Sequence, residues 1–200
     1  PRYLVFSSSA AVYGAPKRLP VSERAALAPI NPYGATKAMG ERMLQDHCAV
    51  AELRAVSLRF FNVAGADPQG RAGESTPVAS HLIKIAAEVV TGKRAELALF
   101  GEDYPTPDGT CIRDYVHVSD VAQAHLDALN YLAAGGATRA FNLGYGQGAS
   151  VKEVIAAVER VIGRKLLVAK AARRPGDAPR LVADGALARK HLGWTPAHAE

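Results

Sequence analysis

Short apolar runs alternate with longer amphipathic stretches along this chain, and that alternation limits the possible folds more than any other feature. The run Leu4–Phe6 leads into three serines, Ser7–Ser9, as a buried strand does where it reaches the edge of a sheet. A helix is predicted from Asn31 to about Glu52, with asparagine as the N-cap and proline in the first turn. Ala55–Phe60 is the next predicted strand. Strands and helices that alternate in this way form parallel sheets, so the sequence predicts an α/β fold.

The remaining two thirds of the chain continue this pattern. Ser150 and Glu153 form a capping box, which marks the start of one further helix. The segment Val63–Pro77 is rich in glycine, proline and charge, which predicts a long loop of the kind that is usually functional or mobile. The other predicted elements are helices near 78–91, 119–133 and 151–162 and strands near 97–100, 115–118 and 139–143.

Composition excludes several classes of function. Charge or glycine interrupts every apolar run well before about 20 residues, so we expect no membrane-spanning helix. The net charge of +5 comes from 24 basic and 19 acidic residues that are spread along the chain, without a basic stripe, so we expect no nucleic-acid partner. Cys48 and Cys111 form no CxxC pair, and the histidines lack metal-ligand spacing, which predicts a reduced, cytoplasmic protein without a metal.

Tyr33 and Lys37 carry the first indication of chemistry. They lie four residues apart at the start of a predicted helix, so both project from one face. A free tyrosine is a poor base at neutral pH, but a neighbouring ammonium group favours its ionised form. Ser9, the last of the serines that end the upstream strand, could hydrogen-bond the same substrate hydroxyl. Taken alone, a Tyr-x-x-x-Lys spacing is common on helix surfaces, so its neighbours decide what it means.

Those neighbours resemble the extended short-chain dehydrogenases, and one branch of them in particular. A serine-rich strand end precedes Tyr33 by about 24 residues, and Arg59–Ala66 follows on the next strand. The stretch Gly101–Val118 is similar to the signature of UDP-glucose 4-epimerases, and the resemblance continues collinearly to Trp194. Nucleotide-sugar 4,6-dehydratases carry an acidic pair where this chain has Ala10 and Ala11, so that branch is disfavoured.

The resemblance implies a reaction and a set of residues that perform it. Tyr33 would act as base and acid at the sugar 4-hydroxyl, Lys37 would assist it and hold the nicotinamide ribose, and Ser9 would bind the reacting hydroxyl. The cofactor would be a tightly bound NAD, and the reaction would pass through a transient 4-keto sugar. Residues expected at NAD by resemblance are Ser7, Ser9, Tyr33, Lys37 and Phe61.

A UDP-sugar is the substrate that the resemblance implies. Leu181 occupies a position that borders the sugar, and leucine there leaves activity on N-acetylated substrates undecided. The segment Gly144–Ala149 also fits the G-x-G-x-x-A pattern of a dinucleotide-binding turn. The acidic residue expected about 20 positions later is missing, so cofactor binding is not predicted there. The residues expected at the substrate by resemblance are Ser9, Tyr33, Asn62, His81, Leu82, Ala98, Leu99, Phe100, Arg113, Tyr115, Arg174, Asp177 and Leu181.

The resemblance also implies how the chain is organised. Residues 1–62 and about 112–146 would form the remainder of a Rossmann-like NAD-binding domain, and about 63–111 and 147–200 a smaller α/β substrate-binding lobe. We expect the glycine-rich N-terminal half of such a domain to be absent from this chain, and a homodimer to form through the helix that carries Tyr33. Two alternatives stay open: a non-catalytic nucleotide-sugar-binding relative, and an epimerase of another UDP-sugar such as an N-acetylhexosamine or a pentose.

Overall fold

A computed structural model describes residues 2–78 and 80–199, and it shows an α/β fold in which parallel strands alternate with helices. The helices are α1 (Pro32–Val50), α2 (Leu82–Val90), α3 (Val118–Ala133), α4 (Val151–Ile162) and α5 (Ala186–Leu192). The strands are β1 (Tyr3–Ser9), β2 (Arg54–Phe60), β3 (Asn62–Ala64), β4 (Leu97–Phe100), β5 (Ile112–His117), β6 (Arg139–Leu143), β7 (Gly148–Ser150), β8 (Val168–Ala171) and β9 (Arg180–Leu181).

The central sheet has the strand order β1-β2-β6, and its strands are all parallel. In this register Ser9 at the end of β1 lies beside Phe60 at the end of β2, so both strands finish at the same edge. Helices cover the two faces of β1. Ser8 bonds to α1 and Ser7 bonds to α3, and successive side chains of a strand point to opposite faces.

Two smaller sheets complete the fold. In one, β5 pairs in parallel with β3 and β9 and antiparallel with β7. In the other, β4 pairs in parallel with β8. The main core lies between the central sheet, α3 and α5, and it includes Leu58, Phe141 and Trp194. A separate apolar cluster packs α2 and α4 around Leu97.

The predicted elements agree with the structure in type, with differences at their ends. Helix α2 begins at Leu82 and not near residue 78, and β5 occupies Ile112–His117 where a strand was expected at 115–118. Strand β3 takes the first residues of the predicted loop. The capping box of α4 is present, with Ser150 and Glu153 bonded to each other's backbone N–H groups. Strands β7, β8 and β9, and helix α5, were missed because elements of two to seven residues leave little periodic signal.

Candidate active site

The predicted catalytic residues lie at or beside the edge where β1 and β2 end. In open α/β sheets ligands bind outside the carboxyl ends of the strands, so this edge is where the fold favours a site. Ser9 is the last residue of β1, and its Oγ accepts a hydrogen bond of 3.2 Å from the N–H of Ala11. This bond caps a short 3-10 turn, Ala10–Tyr13. Because the oxygen is the acceptor, the hydroxyl proton of Ser9 can be donated to a ligand.

Helix α1 presents Tyr33 and Lys37 beside the same edge. Its start is fixed by the Asn31 side chain, which accepts a 2.8 Å hydrogen bond from the N–H of Gly34, and by proline at the first position. The Tyr33 side chain is exposed, with 52% of the residue accessible. Lys37 Nζ lies 5.6 Å from the centre of the Tyr33 ring and donates to the Ser7 carbonyl at 2.9 Å. Lys37 is therefore anchored to β1 while its ammonium group stays close to the phenol ring.

Ser7 is held from the other face of the sheet by a histidine that the sequence did not identify. His125 Nε2 lies 3.0 Å from Ser7 Oγ, and His125 Nδ1 lies 2.8 Å from the Val121 carbonyl. A carbonyl only accepts, so Nδ1 carries the proton, and in the neutral ring Nε2 accepts from the Ser7 hydroxyl. The lone pairs of Ser7 Oγ are then left to accept hydrogen bonds from a ligand.

Next to this edge is a cleft of about 150 Å³. It lies between the end of β1, the start of α1 and the segment around Asp177. Tyr33 and Lys37 stand on the adjoining helix, whose N-cap Asn31 is part of the cleft wall. The predicted site residues that line it are Ser9, Phe61, Asn62, Arg113, Asp177 and Leu181.

Two arginines and a carboxylate give this region its charge. Arg113 donates to the Ala178 carbonyl at 2.7 Å, and its Nη2 lies 3.4 Å from Asp177 Oδ1. Arg174 Nε lies 3.6 Å from the other oxygen of Asp177, and its guanidinium group stacks 4.3 Å from the centre of the Phe100 ring. Two guanidinium groups around one carboxylate leave a positive charge, which suits a phosphate-bearing ligand. The Phe100 ring adds a flat apolar surface nearby.

Other predicted substrate residues lie in a larger cavity of about 1070 Å³. His81, Leu82 and Tyr115 line it, and Asn62 lines both this cavity and the smaller cleft. His81 Nδ1 lies 3.3 Å from the Glu74 carboxylate, across the loop that follows β3. Burial raises the pKa of Tyr115 to about 12, so this residue stays protonated at neutral pH. The structure therefore places some predicted substrate residues in each of two neighbouring cavities, whereas Tyr33, Ala98, Leu99, Phe100 and Arg174 line neither of them.

The predicted residues of β4 differ in what they can contact. Ala98 is exposed, whereas Leu99 is buried with 4% of its surface accessible. Strand side chains alternate in direction, so the Leu99 side chain packs in the core while Ala98 and Phe100 point the other way. Any contact from Leu99 to a ligand would have to come from its backbone.

Sequence reasoning also missed a buried polar network behind the site. Glu41 on α1 and Arg59 on β2 form an ion pair at 2.5 Å, with 1% and 4% of their side chains exposed. Ser8, Tyr13 and Asn142 extend this network. One signal was available, because an arginine inside a mostly apolar strand needs a buried partner. Which residue that partner is could not be read from the sequence.

Comparison with known proteins identifies the family. Residues 1–144 match the model described as the NAD dependent epimerase/dehydratase family. The chain belongs to this family. It is 57% identical over 195 residues to the UDP-glucose 4-epimerase of Azospirillum brasilense, an alignment that covers 98% of this chain and 56% of that protein. It is also 48% identical over 192 residues to the UDP-glucose 4-epimerase of Rhizobium meliloti.

Solved structures of epimerase/dehydratase family members share this fold closely. UDP-glucose 4-epimerase from Brucella ovis in complex with NAD superposes with a TM-score of 0.93 at 47% identity, over 99% of this chain and 61% of that chain. The Stenotrophomonas maltophila UDP-glucose 4-epimerase with bound NAD and formylated UDP-arabinopyranose gives 0.92 at 42% identity, over 98% of this chain and 59% of that one. The chain therefore spans about three fifths of the length of the relatives that it matches.

Proposed function

We propose that this protein catalyses the reversible 4-epimerisation of UDP-glucose and UDP-galactose, with NAD as a tightly bound cofactor. The observation that carries the proposal is the placement of Ser9, Tyr33 and Lys37 at one sheet edge, beside a cleft that Arg113 and Asp177 line. That arrangement combines a proton-transfer group with a site for a phosphate-bearing ligand. The similarity to UDP-glucose 4-epimerases over nearly the whole chain supports the same reading.

The residues at the sheet edge fit the ribose of a nicotinamide nucleotide. Lys37 Nζ uses one of its protons on the Ser7 carbonyl and has two more to donate, and Ser7 Oγ has lone pairs that can accept from ribose hydroxyls. Phe61 is buried next to this edge and its N–H donates to the Leu143 carbonyl, so its backbone is held in place and would contact the nicotinamide end of the cofactor. When bound, NAD would supply reversible hydride transfer at carbon 4 of the sugar.

The chain's own residues would move the proton and orient the sugar. Tyr33 would take the proton of the 4-hydroxyl and return it to the same oxygen, since its exposed phenol is free to reach a ligand. Lys37 would place its positive charge beside the phenol ring, 5.6 Å from the ring centre. Ser9 would donate its hydroxyl proton to the reacting oxygen and so fix the direction of the transfer.

Binding of the nucleotide would depend on the charged region of the cleft. Arg113 and Arg174 would bind the diphosphate, because guanidinium groups pair bidentately with phosphate oxygens. Asp177 would accept from ribose hydroxyls, and the Phe100 ring would face the uracil. We propose that Asn62, His81, Leu82, Ala98, Leu99 and Tyr115 complete the substrate contacts, with Leu99 acting through its backbone.

A related substrate is the main alternative, and Leu181 is the residue that bears on it. Leu181 is buried, with 9% of its surface accessible, and it lines the small cleft. A side chain of intermediate size there neither closes the pocket to an N-acetyl group nor leaves it fully open. A non-catalytic relative is the second alternative, and the retained Ser9, Tyr33 and Lys37 argue against it.

Three further properties belong to the proposal. We propose a homodimer through α1, since Met39 and Met43 are exposed by 64% and 72% on this helix and offer an apolar contact. The protein would act in the cytoplasm, in galactose metabolism. Residues 1–62 and about 112–146 would form the cofactor domain and the rest the substrate lobe.

Among residues 2–78 and 80–199, no helix combines the length and apolarity needed to cross a bilayer.

The test is a proton NMR time course of UDP-galactose with the protein expressed at the full length that its gene encodes, without added NAD. We expect the anomeric signal of UDP-glucose to grow until the two sugars reach equilibrium. Tyr33→Phe should abolish the conversion, because the substituted ring has no group that exchanges a proton. Tyr131→Phe, which alters a tyrosine on α3, is the matched control and should leave the rate unchanged.

The outcomes separate the candidates. An unchanged spectrum from folded protein that contains NAD would contradict UDP-galactose as the substrate, and the same assay with UDP-N-acetylgalactosamine and a UDP-pentose would then identify another sugar. Folded protein that binds UDP but converts none of these sugars would support the non-catalytic relative.

A further inference from the structure

Five buried polar side chains form a network directly behind the candidate catalytic residues. They come from different elements: Ser8 from β1, Tyr13 from the 3-10 turn, Glu41 from α1, Arg59 from β2 and Asn142 from β6. The exposed fraction is 4% or less for each of them. The network therefore connects all three strands of the central sheet to the helix that carries Tyr33.

The hydrogen bonds run continuously through the network. Ser8 Oγ donates to Glu41 Oε1 at 2.5 Å, and Arg59 donates to both oxygens of Glu41 through Nε and Nη2, at 2.5 to 3.1 Å. Arg59 Nη1 donates to the Tyr13 hydroxyl at 2.8 Å, and that hydroxyl donates to Asn142 Oδ1 at 2.7 Å. Burial opposes the charge of Arg59, but the Glu41 carboxylate and the Tyr13 oxygen outweigh it and raise the pKa of the guanidinium group.

Stability alone does not explain such a network. A buried ion pair is often replaceable by apolar residues of similar volume without loss of stability, because removing two charges from water offsets their attraction. What the pair does provide is a defined position of α1 relative to β2. A guanidinium group bonded to a carboxylate in a fork adds geometric specificity, so the pair constrains the relative position of the two elements that carry it.

The network fixes the position of α1 along β1, and the placement of the candidate catalytic residues depends on that position. Tyr33, Lys37 and Glu41 follow each other at intervals of four on α1, so they lie along one side of the helix. Ser8, which bonds to Glu41, lies between Ser7 and Ser9 on β1. Sliding α1 along β1 would break the bonds of Glu41 and would move Lys37 away from the Ser7 carbonyl at the same time.

We infer that Glu41 and Arg59 are positioning residues, which hold α1 against β1 so that Tyr33 and Lys37 stand beside Ser7 and Ser9. This inference rests on the proposed epimerisation for its functional consequence. Neither residue touches the ligand-binding cleft, so both act through α1. Ser8 belongs to the same device, since it joins the strand of the serines directly to Glu41.

The main test removes both charges at once in the full-length protein, as Glu41→Leu combined with Arg59→Met. We expect kcat per NAD-containing protomer to fall about 100-fold, since a misplacement of about 1 Å can cost that much, while KM for UDP-galactose changes less than about threefold. The melting temperature should fall by several degrees, because the buried Ser8 hydroxyl loses its acceptor and the Tyr13 oxygen loses its donor. A purely structural role would lower the melting temperature and leave kcat per folded protomer unchanged, and that result would overturn the inference.

A milder variant covers the case in which the double variant does not fold. Ser8→Ala removes one hydrogen bond to Glu41, and Ser57→Ala, at a buried serine of β2, is its matched control. We expect Ser8→Ala to lower kcat by about tenfold, since it loosens α1 without removing the ion pair of Glu41 and Arg59, and Ser57→Ala to leave kcat within twofold. Equal kcat values for the two serine variants would overturn the inference.

Hydrogen exchange gives a readout that needs no turnover. In Ser8→Ala, amides in the first two turns of α1 should exchange faster than in the wild type, while those of α3 should not change. If the wild type fails to convert any UDP-sugar, the proposed function fails, and exchange still tests the positioning. Unchanged exchange in α1 would show that the network does not hold this helix.

Discussion

Gly34 follows Tyr33 on α1, and replacing it by alanine should test how closely the helix must approach the serine strand. A Cβ at Gly34 would lie 2.4 Å from the carbonyl oxygen of Ala11, a backbone atom that cannot rotate away. That is about 1 Å inside ordinary van der Waals contact. The helix would therefore have to move away from the 3-10 turn by about that distance, and Tyr33 would move with it.

The expected change in stability is small, because two effects oppose each other. Alanine favours a helix over glycine by about 1 kcal/mol, whereas overpacking costs roughly 1–3 kcal/mol. The net loss in the free energy of unfolding is then about 0–2 kcal/mol. The expected change in turnover is much larger, since a displacement of about 1 Å at a reacting group can lower kcat about 100-fold.

The assay compares Gly34→Ala with Gly40→Ala on the same helix. The three atoms nearest to a Cβ at Gly40 all belong to the Phe6 ring, the closest at 2.8 Å, and a side chain can shift where a backbone carbonyl cannot. Both variants gain the same helix propensity, so urea unfolding and the NMR rate of UDP-galactose conversion separate propensity from displacement. Wild-type turnover in Gly34→Ala, with Tyr33 in its original place in a crystal structure, would refute the reasoning.

Three further predictions follow from other parts of the chain. Arg113→Lys should raise KM for UDP-galactose about 10- to 100-fold with little change in kcat, because a lysine cannot pair bidentately with a diphosphate, and steady-state kinetics would measure it. Burial opposes ionisation of Asp120, but the Tyr145 hydroxyl and two backbone N–H groups lower the pKa of this carboxyl, so its stabilisation is present above the unfolded value of about 4 and is lost as the pH falls through the folded value. Asp120→Asn should therefore lose less thermal stability between pH 6 and pH 3 than the wild type, and equal losses would contradict this. The 200-residue chain alone should bind NAD weakly and show negligible turnover, since it spans about three fifths of its relatives; tight saturable binding in calorimetry would be the contrary result.

The parts of the fold with local signals were predictable from the sequence. Helix α1 begins at Pro32 because Asn31 caps it, and both residues are visible in the sequence. The capping box at Ser150 likewise marks the start of α4. Those signals lie within a few residues of the element that they define, so they need no knowledge of tertiary contacts. The α/β class followed from the same alternation of elements and is confirmed.

The contacts that organise the site depend on distant pairs, and the sequence did not reveal them. Ser7 and His125 are separated by 118 residues, and they meet because α3 packs across the sheet from α1. Glu41 and Arg59 meet only because β2 lies beside β1 in one register. A charged residue in a buried strand predicts a partner in general, but the partner's identity depends on packing.

The most direct test of the central claim uses UDP-galactose that carries deuterium at carbon 4 of the sugar. In ordinary water, with the full-length protein, we predict that the UDP-glucose formed retains the deuterium at carbon 4. That result follows if the hydrogen leaves and returns as hydride without mixing with solvent, while Tyr33 moves only the hydroxyl proton. Replacement of the deuterium by solvent hydrogen during conversion would contradict the account, because it would mean that carbon 4 is deprotonated instead of oxidised.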